Sequence, residues 1–122
     1  MSEMTLQVES DIKAPGKSRS HLAALKSILE PRFDDVILVV SELVSNSVRH
    51  AASRKVAVKV DAHGDYVRVE VTDEGHGFEP GAPRGEGLGL YLVDKIARRW
   101  GVTDDGGFTV WAEIPKSEVA EA

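Results

Sequence analysis

Alternation of apolar and polar positions is clearest in two stretches, 55–61 and 66–72. There Val56, Val58 and Val60 in the first face Val67, Val69 and Val71 in the second across a His63-Gly64 connection. Period-two patterning of this kind with a short turn predicts an antiparallel hairpin. Thr5 to Glu9 alternates too and predicts an opening strand. Val102-Thr103 and Thr109 to Ile114, joined through Asp105-Gly106-Gly107, predict two closing strands. Between the opening strand and the hairpin the period changes. Pro15 suits the first turn of a helix carrying Leu22, Leu25, Ile28 and Leu29, which Pro31 ends. Asp34 and Asp35 then favour a second helix start, and Val36 to Ala51 keeps helical period. At about 100° per residue, Val36, Val40, Leu43, Val44, Ser47, Val48 and Ala51 fall in one arc, the expected buried face. Ser41, Ser45 and Arg49 lie opposite. Glu42 and Asn46, four apart, stack on the flank between, and Leu38 falls on the polar side and does not fit. A third helix is expected from about Leu88 to Arg99, after a loop with five glycines from Gly75 to Gly87.

Strands grouped after helices, rather than alternating with them, predict an α+β two-layer sandwich: a mixed, mainly antiparallel sheet with helices on one face. A chain of 122 residues with 42% hydrophobic and 29% charged residues suits one domain, expected over 1–114, with a frayed tail over 115–122. A net charge of −5 argues against nonspecific nucleic-acid binding. No cysteine is present, so disulfides and thiolate metal sites are excluded. The start Met1-Ser2-Glu3 lacks signal-peptide character, and the apolar run Val36 to Val40 is far short of the roughly 20 residues of a membrane span. A cytoplasmic location is expected, without membrane contact.

Chemistry concentrates in three segments. Asp73 ends an apolar strand just before Gly75 and Gly77, where a buried carboxylate could accept a hydrogen bond from an amine such as adenine N6. Taken alone, the residue reads first as a turn aspartate before glycine. Gly85, Gly87 and Gly89 run into a helix start at Leu88, suited to phosphate oxygens or to a plain flexible connection. Glu42 beside Asn46 offers a base and an amide oxygen for Mg²⁺, or only a solvated flank. Gly16-Lys17-Ser18 ends like a Walker A loop, but Asp11 stands where its first glycine belongs; the dinucleotide fingerprint does not fit either. His21, His50, His63 and His76 have no metal-ligand spacing. Trp100, at the expected helix end, and Trp111 are packing residues.

Taken together, the segments resemble a known family. Ser41 to Ala51 resembles the N box of GHKL-type (Bergerat-fold) ATP-binding domains, Val71 to Phe78 the first glycine box, and Gly85 to Leu90 the second. The likeness is greatest to bacterial anti-sigma-factor serine/threonine kinases, and Gly107 to Trp111 is similar to their terminal strand. The resemblance implies ATP and Mg²⁺ as cofactors, with Glu42 as general base and Asn46 as Mg²⁺ ligand. It implies Asp73 as adenine partner, with Gly75 and Gly77 shaping the pocket and Thr109 supporting the adenine and its ordered water. Gly85, Gly87, Leu88 and Gly89 would bind the phosphates, and Arg49 and His50 close the N box near them, although Arg49 lies on the solvated side of the wheel. The implied reaction passes the γ-phosphate to a serine of a STAS-like anti-sigma-factor antagonist, and the same domain also sequesters a sigma factor. Family members of this kind are often homodimers. Only the seven residues Phe78 to Arg84 separate Gly77 from Gly85, shorter than the family's usual lid. That leaves a nonenzymatic ATP-binding module that sequesters a protein partner as the alternative. The catalytic domain of a histidine kinase ranks third, because no phosphoacceptor helix pair is seen.

Overall fold

The computed structural model of the chain describes residues 3–9, 11, 13–50, 55–74, 88–104 and 107–116, with the side chains of His50, Leu88 and Gly89 outside that description. Strand β1 (Glu3–Glu9) leads to helix α1 (Ala14–Leu22), a 3₁₀ turn (Ala23–Leu25) and the short α2 (Lys26–Leu29). Helix α3 (Phe33–His50) follows, then the hairpin β2 (Lys55–Ala62) and β3 (Tyr66–Asp73), helix α4 (Leu88–Ile96), and strands β4 (Arg99–Asp104) and β5 (Phe108–Pro115). The five strands order as β1-β2-β3-β5-β4, and every pairing is antiparallel. The expected mixed character is therefore absent among the described residues.

One face of the sheet carries the core. Val58, Val71 and Val110 stand in register across β2, β3 and β5, as do Val60, Val69 and Ala112, and all are buried against Val36, Val39, Val40, Leu43 and Val44 of α3. The predicted arc of α3 is thus the buried face from Val36 to Ser47, with Val48 partly buried and Ala51 outside the described residues, and Leu38, the residue that did not fit it, is 37% exposed. Among the described residues no helix covers the opposite, open face of the sheet. Trp111 packs there against Gly101, where an added Cβ would lie 3.0 Å from the indole, and Arg68 covers the ring at 4.4 Å. No helix among the described residues is long and apolar enough to cross a membrane.

Three boundaries differ from expectation, each for a local reason. The first helix is not continuous: at Leu25 the backbone leaves helical geometry (φ −103°, ψ 13°), and the 3₁₀ turn lets Leu22 and Leu29 both reach the core while Ile28 turns outward. Helix α4 stops at Ile96 rather than Arg99, because Arg98 N–H donates to the Glu113 carbonyl at 2.8 Å instead of to a helical one. Arg99 and Trp100 consequently open β4. Pro115 and Lys116, expected in the tail, are held: Pro115 closes β5 and accepts from Arg32 Nε at 2.8 Å, and Lys116 N–H donates to the Asp65 carbonyl.

Candidate functional site

Asp73 breaks an otherwise apolar column. Val8, Val56, Asp73 and Phe108 are successive register partners across β1, β2, β3 and β5, so strand alternation turns the carboxylate toward the helices. It is 4% exposed. A carboxylate this deep requires donors, and one comes from α3: Ser47 Oγ donates to Asp73 Oδ2 at 2.9 Å. That bond ties the N-box helix to the strand end across 26 residues of sequence.

One residue before Ser47, Asn46 is also buried, at 6% exposure. Its Oδ1 accepts from Arg49 Nη2 at 2.8 Å, while its Nδ2 is buried without a hydrogen-bond partner among the described residues. An orphaned buried amide is costly in an isolated protein, which makes it a mark of a site meant for something else. Glu42, one turn earlier, is half-buried, and no hydrogen bond or ion pair engages it among the described residues. Arg49 is exposed. The arrangement presents an amide oxygen already attractive to a cation, with a carboxylate one helical turn away. Among the described residues no group of three or more His, Cys, Asp or Glu could hold a metal by itself. A cation here would therefore be held as at phosphate sites, by one protein oxygen together with the oxygens of the ligand. Asn46 fits that role provided the Arg49 guanidinium yields Oδ1.

Thr109 is not brought to this place. It pairs with Thr72 in register and the two hydroxyls lie 2.7 Å apart, one position off the Asp73–Phe108 pair and therefore on the open face of the sheet. The inner position opposite Asp73 belongs to buried Phe108. Gly75, Gly77, Gly85 and Gly87 lie outside the described residues, as do the side chains of His50, Leu88 and Gly89. Two residues escaped sequence reasoning. Ser47 sat unnoticed in the apolar arc, although a hydroxyl there was itself a signal. Gly107 has φ +148°, and a Cβ on it would lie 3.1 Å from the Asp73 carbonyl oxygen, so it backs the strand end that carries the acid.

A cavity of about 740 Å³ lies elsewhere, along α1 between Lys13 and Ser20. Its walls are the exposed side of one helix and include no acceptor comparable to Asp73, so the chemistry favours the α3–β3 end. A smaller pocket of about 220 Å³ between α1 and α3 is lined by Pro15, Ser45, Val48 and Arg49.

Comparison with known proteins agrees with this geometry. Among solved structures, the RsbU and RsbW domains of Rv1364c from Mycobacterium tuberculosis superpose with a TM-score of 0.66 at 18% identity, over 93% of this chain and 32% of that one. The histidine kinase AdeS of Acinetobacter baumannii gives 0.57 at 14% identity, over 93% of this chain and 68% of that one. This chain thus spans about a third of the first structure, and at such identities the likeness is one of fold. A family model described as histidine kinase-, DNA gyrase B- and HSP90-like ATPase matches residues 33–118, which include α3, β3 with Asp73, and β5. That match takes in well over half of the sequence, and the chain belongs to this GHKL ATPase family.

Proposed function

We propose that the protein is an ATP- and Mg²⁺-dependent serine/threonine kinase of the anti-sigma-factor type, acting on a STAS-like antagonist and regulating transcription through a sigma factor. The observation that carries this reading is the Ser47–Asp73 hydrogen bond, which brings the N-box helix and the strand-end acid to one place. Asp73 accepts from the adenine amine, a contact that discriminates strongly because an unmatched ring leaves the buried carboxylate facing an acceptor. Asn46 would offer Oδ1 to the magnesium, and the Arg49 guanidinium, released from it, would then be available to pair with phosphate oxygens. When bound, Mg²⁺ neutralises the triphosphate charge that phosphoryl transfer must manage. Glu42, half-buried and without a protein partner among the described residues, takes the proton of the incoming serine hydroxyl.

The test is transfer of label from γ-labelled ATP to an antagonist encoded beside this chain. Glu42→Ala should abolish transfer and leave ATP binding nearly unchanged. Transfer that persists in Glu42→Ala would remove Glu42 from the mechanism. ATP binding without any transfer by the wild type would favour the sequestering module.

A further inference from the structure

Ser47 occupies a position whose periodicity asks only for packing, yet its hydroxyl is spent on a buried carboxylate of the inner sheet face near α3. The register neighbours of Asp73 are Val56 and Phe108, whose side chains carry no hydrogen-bond donor. One donor comes from α3. Ser47 lies in the last turn of the 18-residue α3, is 8% exposed, and reaches Oδ2 at 2.9 Å. The seryl O–H is the donor in this hydrogen bond and the carboxylate oxygen the acceptor.

We propose that Ser47 is a positioning and specificity-determining residue: by holding Asp73 Oδ2 it sets the carboxylate plane, so that the acid presents an acceptor to the exocyclic amine of a purine. The inference rests on the reading of Asp73 as the ring-binding acid. A ring with an amine at that place meets an oriented acceptor. A ring with a carbonyl there meets acceptor against acceptor, and a ring with neither group gains nothing from the orientation. Ser47 therefore acts through Asp73 and on one substituent of the ligand. A serine that only satisfied a core carboxylate would affect every nucleotide alike.

The experiment exploits that difference. Calorimetry in Mg²⁺ compares ATP with purine riboside triphosphate, which lacks the amine, on the full chain carrying Ser47→Ala, Ser47→Cys or Ser47→Thr. Cysteine keeps the volume with a weak donor, so it serves if alanine disturbs folding, and threonine restores a hydroxyl. Ser47→Ala and Ser47→Cys should weaken ATP about tenfold and purine riboside triphosphate less than about twofold, with Ser47→Thr near wild type. Equal losses for both ligands, or no loss for ATP, would overturn the role of Ser47. If the wild type itself bound the two ligands equally, the assignment of Asp73 to the amine would fail first, whatever the variants did.

Discussion

Gly107→Ala probes the support behind Asp73. Glycine adopts φ +148° freely, whereas an L side chain held at such an angle costs roughly 1–3 kcal/mol. The new methyl would also stand 3.1 Å from the Asp73 carbonyl oxygen and 3.3 Å from Thr72 Cγ2. A backbone oxygen in a paired strand cannot rotate aside, so β3 must shift by a few tenths of an ångström at the residue that carries the acid. The combined penalty is about 2–4 kcal/mol, or roughly 8–16 °C in Tm for a domain of this size. Gly64→Ala is the internal control. Its Cβ meets nothing within 4 Å and its φ is not in the positive region, so stability should hold or rise by up to about 1 kcal/mol. Urea denaturation of both variants reads the difference directly, and ATP affinity should fall several-fold in Gly107→Ala alone. Equal midpoints for the two variants would show that Gly107 is not confined and that its contact with β3 carries no strain.

Other consequences follow from the same geometry. Asn46→Ala should bring the ratio of ATP affinities with and without Mg²⁺ close to one while changing metal-free binding little, which titration in buffer with EDTA or Mg²⁺ checks. Thr109→Val, on the open face, should leave ATP affinity within about twofold and cost at most about 1 kcal/mol from its hydrogen bond to Thr72. Glu113 is 3% exposed and bonded by Arg99 at 2.9 Å and Arg68 at 2.8 Å, contacts that hold its carboxyl below the ordinary carboxylate range. A depressed folded value means stability fully present above the unfolded value and lost as pH falls through the folded one. The wild type should therefore lose stability below about pH 4. Glu113→Gln should be less stable by about 2 kcal/mol at neutral pH, since Arg68 and Arg99 keep solvent access, and its acid denaturation profile should be flatter.

What could be read in advance was whatever depends on neighbours along the chain. The alternating valines of β2 and β3 set the inner face without reference to pairing, and the α3 arc followed from helical period alone. The spacing of Glu42 and Asn46, one helical turn apart on α3, is equally local. Long-range features were hidden. The end of α4 depends on the Glu113 carbonyl capturing Arg98 N–H, a partner fifteen residues away, and no helix signal near Arg99 records it. The face of Thr109 depends on the β3–β5 register, which couples it to Thr72 and gives Phe108 the place opposite Asp73. Ser47 looked like a small core residue because its partner, Asp73, comes from another element. Gly107 looked like any turn glycine until its Cβ direction against β3 was known.

Convergence of α3 and the end of β3 on a single purine nucleotide is the central claim, and calorimetry of the wild type and Asp73→Asn with ATP and GTP in Mg²⁺ tests it most directly. The account predicts that the wild type binds ATP and strongly prefers it to GTP, and that Asp73→Asn loses both the affinity and the preference while remaining folded. Wild-type protein that ignored both nucleotides, or Asp73→Asn that kept full ATP affinity, would contradict it.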